Sequence, residues 1–446
     1  MKALKSKKLI MVFILMLSLA GCSAAETVNS TSPIDDTQAG NTEQTGSEFL
    51  PESQNANSDD NLNNHVGETT GSAEAVLDLD NMFSDRDLEQ TADTSKAVAI
   101  ALTDGNDVNI FEEGVYVLSG DVENVTVTVQ ADDEAKVQLV LDGVSITNEN
   151  TAPINIESAD KVFIALVSDE NTLSVTGEYV NTTDTNIDAV IFSKSDLVLN
   201  GTGSVTISSA TANGITSKDD LKITGGTYTI AAALDAVEAN DSIRIYDGIF
   251  IIDTGKDAFH SENDDDLNLG YMYIKNGNFT ISAADDGMQA NSIMQIDGGD
   301  IDIITSTEGI EATFVRINGG NIDIYATDDG INASDNSDYT VAIEVNGGNI
   351  NVEVGPGDTD GFDANGTITI NGGTIAVTAN SAFDADVSAT LNGGDVTVNG
   401  ETVTELPTAQ RGGGGGGKGT RPEGAPTDAP TDGRSRTPMA PPSNTL

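Results

Sequence analysis

The chain has 446 residues, with 72 Asp and Glu against 20 Lys and Arg, a net charge of −52, one Cys and no Trp. Such a surface repels polyanions, which excludes nucleic acid as a partner unless cations bridge the contact. A single Cys leaves no intramolecular disulfide, and the missing Trp removes a common platform for neutral sugars.

Taken from the start, Lys2, Lys5, Lys7 and Lys8 precede an apolar run from Leu9 to Ala20, which is too short to span a membrane. The run ends in Leu19-Ala20-Gly21-Cys22, the layout of an export signal over residues 1–22. That tetrapeptide resembles the bacterial lipobox, which implies lipidation of Cys22. The protein would then sit on the extracellular face of the cell membrane, held by that anchor alone; a plain signal peptide with an incidental Cys is the alternative. Residues 23–95 are rich in Ser, Thr, Asn, Asp and Glu and read as a disordered tether. Gly412 to Gly417 and the stretch from Pro422 to Pro442 mark residues 405–446 as a low-complexity tail. The folded part is expected over 96–404.

From about residue 213 to 394 two phrases recur. Asp286-Gly287-Met288-Gln289-Ala290 leads to Gly298-Gly299, and Glu308-Gly309-Ile310-Glu311-Ala312 leads to Gly319-Gly320. The second glycines fall at 226, 248, 277, 299, 320, 348, 373 and 394, mostly 21 or 22 residues apart. Inserts such as Glu262–Asp266 explain the longer steps. A fixed period of this length marks a solenoid. Apolar residues alternate with polar ones on both sides of each glycine, as in Tyr228 and Ile230, Phe250 and Ile252, or Ile301 and Ile303. The Asp phrase adds a third short strand with inward Val237, Phe259, Met288, Ile310, Ile331, Phe362 and Phe383. Three strands and three turns per coil of about 22 residues predict an all-β, right-handed parallel β-helix, with coils about 4.8 Å apart.

The N-terminal third carries Gly114-Val115-Tyr116-Val117-Leu118-Ser119-Gly120 and Leu139-Val140-Leu141-Asp142-Gly143-Val144-Ser145-Ile146, with Gly120 and Gly143 a coil apart. Over about 96–400 these phrases resemble a bacterial family of carbohydrate-binding domain-containing proteins. Its characterised type is a lipid-anchored, polysaccharide-lyase-like right-handed β-helix that binds calcium, cellulose and acidic pectic sugars. The resemblance implies that fold, and a polysaccharide partner such as acidic sugars or cellulose.

Lining up the coils by their glycines places Asp235, Asp257, Asp286, Glu308, Asp329 and Asp360 in one column. Three residues on, Glu238, His260, Gln289, Glu311, Asn332, Asp363 and Asp384 form a second, outward column. Bare carboxylates about 5 Å apart repel by roughly 3 kcal/mol at an effective dielectric of 20. Such a row takes up protons or binds cations. Oxygen donors without Cys or His clusters favour a hard ion, and several calcium ions are the cofactor expected. The extra carboxylates Asp285, Asp328 and Asp358 complete such shells. Asp and Asn also close turns through local hydrogen bonds, and that reading stays open for each one singly. The insert Glu262–Asp266 is a second acidic candidate, or a solvated loop.

A third column, four residues before each tag glycine, holds Lys222, Arg244, Tyr273, Gln295, Arg316, Glu344 and Thr369. Arg244, Tyr273 and Arg316 are its ligand-binding candidates, and Tyr246, Tyr271 and Tyr339 are further tyrosines to test. Lyases of this fold pair calcium with an Arg or Lys base, for which Arg316 is the candidate here, although outward Arg is commonly just paired with a carboxylate. No nucleophilic triad or His-Gly motif is present, and no catalytic residue is assigned. The composite reading is a monomeric, calcium-dependent, non-catalytic binder of plant cell-wall or other acidic polysaccharide. A calcium-dependent pectate-type lyase and a calcium-stiffened adhesin or spacer are the alternatives.

Overall fold

The computed structural model describes residues 77–180, 186–263, 265–357 and 359–407. Cys22 and the signal, most of the expected tether, nearly all of the tail, and Asp264 and Asp358 lie outside the described residues. The described chain is a parallel β-solenoid of about 12 turns, all β apart from one 3-10 turn at Leu79–Asn81.

Each coil gives one strand to each of three faces. The first face stacks Asp220–Ile223, Ser242–Ile245 and Tyr271–Ile274. The second stacks Thr227–Ala232, Ile249–Thr254 and Asn278–Ala283. The third stacks Val237–Ala239, Phe259–Ser261 and the start of Met288–Ile296. The register follows the columns expected from the glycine tags. Tyr228 pairs with Phe250, Phe250 with Phe279, Phe279 with Ile301, and the row continues to Val396. Val237 through Phe383 form the matching row on the third face. Both rows point into one continuous apolar core in which Tyr228, Phe250 and Phe279 stack at 5.4 and 4.8 Å. Like-on-like stacking arises because a parallel in-register coil puts identical positions one strand spacing apart.

The tag glycines turn the chain from the first face to the second. Gly299 and Gly320 have φ of +105° and +98°, which side chains avoid. A Cβ on Gly320 would also stand 2.9 Å from the Gly299 carbonyl oxygen, so the glycine column is what lets coils close up here. Just before the tags, Asn318 donates to Asp297, Asn346 to Asn318, Asn371 to Asn346 and Asn392 to Asn371, at 2.7 to 2.9 Å. At the C-terminal end, Glu401–Val403 folds back antiparallel on Asp395–Val398 through Asn399 and Gly400, both at positive φ. That hairpin pairs what would otherwise be an open strand edge.

The tether boundary needs correction. Residues 77–90 are not free chain: they lie against the first face, with Leu77, Met82 and Asp87 buried. Low apolar content suggested disorder, yet a few well-spaced anchors suffice once a rigid surface is supplied.

Candidate metal and saccharide sites

The acidic column forms at the turn from the second face to the third. Asp257 N–H donates to Asp235 Oδ1 at 3.0 Å, Asp286 N–H to Asp257 Oδ1 at 2.9 Å, and Glu308 N–H to Asp286 Oδ1 at 3.2 Å. Asp360 N–H repeats the pattern on Asp329 Oδ1 at 2.8 Å. One carboxylate oxygen of each of these Asp residues therefore closes the next coil, as the turn-closing reading holds. The second oxygen is left for another role.

That role differs along the column. At the N-terminal rungs, Lys256 Nζ sits 3.1 Å from Asp235 Oδ2 and 3.2 Å from Asp257 Oδ2. His260 Nδ1 lies 3.6 Å from both carboxylates, and its Nε2 lies 3.3 Å from Glu262. Burial raises the Asp235 pKa, but the His260 hydrogen bond and the His260 and Lys256 charges outweigh it and hold it below the usual value. Burial likewise opposes the His260 imidazolium, and the bond to Asp235 with the nearby carboxylates still raises its pKa. Glu238, in the outward column, accepts from Asn213 and pairs with Lys218 Nζ at 3.0 Å. It lines an open cleft of about 510 Å³ with Lys218, Asp241, Glu262, Asn263 and Asp265, so part of the acidic insert forms one lip.

Farther along, the carboxylates gather into groups, of which Asp257 alone keeps the Lys256 partner. Asp257, Asp285 and Asp286 bring ligand oxygens within 4.8 Å of one another, as do Asp286, Glu308 and Glu311. Among the described residues no Lys, Arg or His pairs with Asp286, Glu308 or Glu311. Burial, then the charges of Glu308, Asp257, Glu311 and Asp285, push the Asp286 pKa up to about 8. Burial and Glu311 push Glu308 up to about 7. Amides border the cluster: Asn332 donates to Glu308 at 2.9 Å and Gln289 to Glu311 at 3.0 Å. This all-oxygen set, short of positive charge, fits a hard divalent ion such as calcium. Asp363 rises to about 7 through burial and the charges of Asp329, Asp360, Asp384 and Asp386. Asp363 and the exposed Asp384 are register partners, and Asp328 is exposed.

The third column is on the first face, and its expected saccharide residues are covered rather than open. Arg244 is 3% exposed and donates to Ser242 at 2.8 Å and to Asp220 at 2.6 Å. Tyr273 is buried, donates its hydroxyl to Asp297 at 2.8 Å, and lies with Tyr271 in a cluster that includes Leu77 and Met82. Tyr339 packs on the same cluster, and Phe83 meets the Tyr246 ring edge-on at 5.4 Å. Arg316 stands on this face, over Phe314 and 3.1 Å from Glu344, whereas Glu311 stands on the third face. Sequence reasoning missed Lys256, although a signal was present. Asp285 N–H donates to the Lys256 carbonyl at 3.3 Å, so Lys256 occupies the same column as Asp285 and Asp328.

A curated relative from Acetivibrio thermocellus, described as a carbohydrate-binding domain-containing protein, is 33% identical over 167 residues. That match covers 37% of this chain and 55% of the relative, so the chain spans about half the relative's length. A solved structure described as the polysaccharide lyase-like protein from C. thermocellum, a gadolinium derivative, aligns with 71% of this chain and 97% of its own, at 22% identity and a TM-score of 0.38. The family model of carbohydrate-binding domain-containing proteins matches residues 104–361 and 308–404, and the chain belongs to that family.

Proposed function

We propose that the protein binds acidic polysaccharide without cleaving it, in a calcium-dependent way, while displayed on the cell surface through Cys22. The observation that carries the calcium reading is the Asp286, Glu308 and Glu311 cluster. Its oxygens converge within 4.8 Å, no basic side chain pairs with them among the described residues, and two of the three have strongly raised pKa values. Converging carboxylates in this state are poised to exchange protons for a cation. Asp286, Glu308 and Glu311 would hold calcium, with Asp285 at the rim, and the bound ion would supply positive charge toward sugar carboxylates. The family supports a polysaccharide as the partner. A lyase reading would need Arg316 beside the acidic cluster, and its pairing with Glu344 on another face gives that reading no support.

The test is retention of the full-length protein on immobilised pectate and on cellulose, with calcium or with EDTA. Retention on pectate is expected with calcium and not with chelator, and Glu308→Gln with Glu311→Gln should remove the calcium-dependent part. Equal retention in both buffers, or calcium dependence that survives the double substitution, overturns the reading.

A further inference from the structure

The first face holds an unusual concentration of positive charge for so acidic a chain. Lys222 and Arg244 are register partners in adjacent coils, and Lys161 stands close by. Their side chains are only 7%, 9% and 4% exposed for Lys161, Lys222 and Arg244. Stacking cations this way is unfavourable, and Lys222 shows it: burial, then the charges of Arg244 and Lys161, lower its pKa. Stacked cations of this kind form an anion site.

Asp220 pairs with Arg244 at 2.6 Å and Asp196 with Lys161 at 3.5 Å, and the further anion, set against Lys222, belongs to residues 77–91. Asp87, fully buried, lies 3.3 Å from Lys222 Nζ and 3.9 Å from Lys161 Nζ. Around it the segment follows a row of coils. Gln90 donates to the Thr224 carbonyl at 3.1 Å and accepts from Gly201 N–H at 2.9 Å. Arg86 lies over the Phe163 ring at 4.4 Å. Phe83 sits against Tyr246 and Tyr273, at 5.4 and 6.3 Å. Leu77 and Met82 join the cluster of Tyr271, Ile293 and Phe314. A carboxylate between two ammonium groups, flanked by rings on tyrosine, is the chemistry by which an acidic sugar chain would be held. Near the Gln90 end, Asn200 is 1% exposed and neither polar atom of its carboxamide has a hydrogen-bond partner, a group suited to sugar hydroxyls. Outside its few anchors, the segment is largely exposed.

We propose that the groove beneath residues 77–91 is a second, metal-free binding site for an acidic sugar chain, and that this segment fills it as an internal stand-in. Asp87 takes the place of a uronate carboxylate and Phe83 that of a sugar ring. The ligand class rests on the acidic-polysaccharide reading above, but the site needs no calcium, so its test runs in chelator and can fail independently.

The experiment uses the full-length chain in EDTA with a galacturonic-acid oligomer, and a neutral glucose oligomer as control. Saturating acidic oligomer should accelerate hydrogen exchange across residues 77–91 and leave the coils protected. Met82→Ser with Phe83→Ala alters only the segment, not the coils, and should tighten binding. If the open groove is populated about a tenth of the time in the parent, the gain is about tenfold. Asp87→Asn, a milder change, should move affinity the same way, and adding Lys222→Gln should remove either gain. Unchanged exchange at saturation, no gain in either variant, a gain that survives Lys222→Gln, or equal displacement by the neutral oligomer would each overturn the proposal.

Discussion

Two stretches of the acidic column share a backbone and differ in how they meet the same electrostatic problem. At Asp235 and Asp257 the coil supplies its own cation, because Lys256 occupies the position just before the ladder residue and reaches both carboxylates. One coil later that position is Asp285, and two coils after that it is Asp328. Replacing a built-in ammonium by a further carboxylate turns a self-neutralised rung into one with more oxygens and no counter-charge. A single column thus holds a stretch neutralised from within and, on the reading proposed above, a stretch that takes a metal.

The largest effect is expected from converting the first kind into the second. Lys256→Asp leaves Asp235 and Asp257 buried without their ammonium. Breaking a buried pair costs about 3–5 kcal/mol, and the partial exposure of Lys256 lowers the expected loss to about 2 kcal/mol in chelator. Denaturation with urea should show that loss and its recovery when calcium is added. An equal loss in both buffers would mean that the extra carboxylate builds no cation site.

The pH dependence should set Asp286 and Glu308 apart from Asp235 by sign. Asp286 and Glu308 have folded-state pKa values of about 8 and about 7, above their ordinary values. The folded state therefore binds more protons than the unfolded chain between about pH 4 and pH 8, and stability of the calcium-free protein falls as pH rises through that window. Asp235 is lowered, so its contribution is present above its unfolded value and fades as pH drops through its folded one. His260 is raised, and its share is lost as pH rises through its folded value. Melting temperatures in EDTA should decline toward pH 9, and Asp286→Asn should flatten the decline. A flat parent profile would show that the cluster is not strained when ionised.

Much of this is legible in the sequence. The glycine tags fix the coil period, and once it is known the β-sheet register places Asp235 through Asp360, and Glu238 through Asp384, in rows. Two features were not legible for physical reasons. Lys256 follows Gly255 in an insert-bearing coil and looks like an ordinary surface lysine unless the column before the ladder is also aligned. Residues 77–91 lack periodicity, because they dock with isolated anchors on a ready-made surface instead of folding on their own pattern. Their cover also explains why Tyr273, outward by strand alternation, is buried.

The converse substitution should have a smaller effect. Asp285→Lys gives the C-terminal stretch the ammonium that Lys256 gives its neighbours. Asp285 is exposed, so the stabilisation in chelator should be within about 1 kcal/mol. Its sharper signature is in calcorimetric titration of calcium: the heat assigned to the Asp286 cluster should vanish while the protein stays folded. Full calcium binding in that variant would place the ion elsewhere along the column.

The smallest effect should come from the amide ladder before the tags, which has the same stacking geometry but a different chemistry. Each Asn side chain both donates and accepts, so Asn318, Asn346, Asn371 and Asn392 satisfy one another along the rod. A carboxylate ladder has only acceptors and must find its donors in backbone N–H groups, ammonium groups or metal. Asn346→Ala breaks two exposed links, at 2.8 and 2.9 Å, and should cost about 0.5 kcal/mol. The loss should be the same with calcium and with EDTA. A loss that depends on calcium would show that the two corners of the coil are coupled, and that the amide row helps set the spacing of the carboxylates opposite.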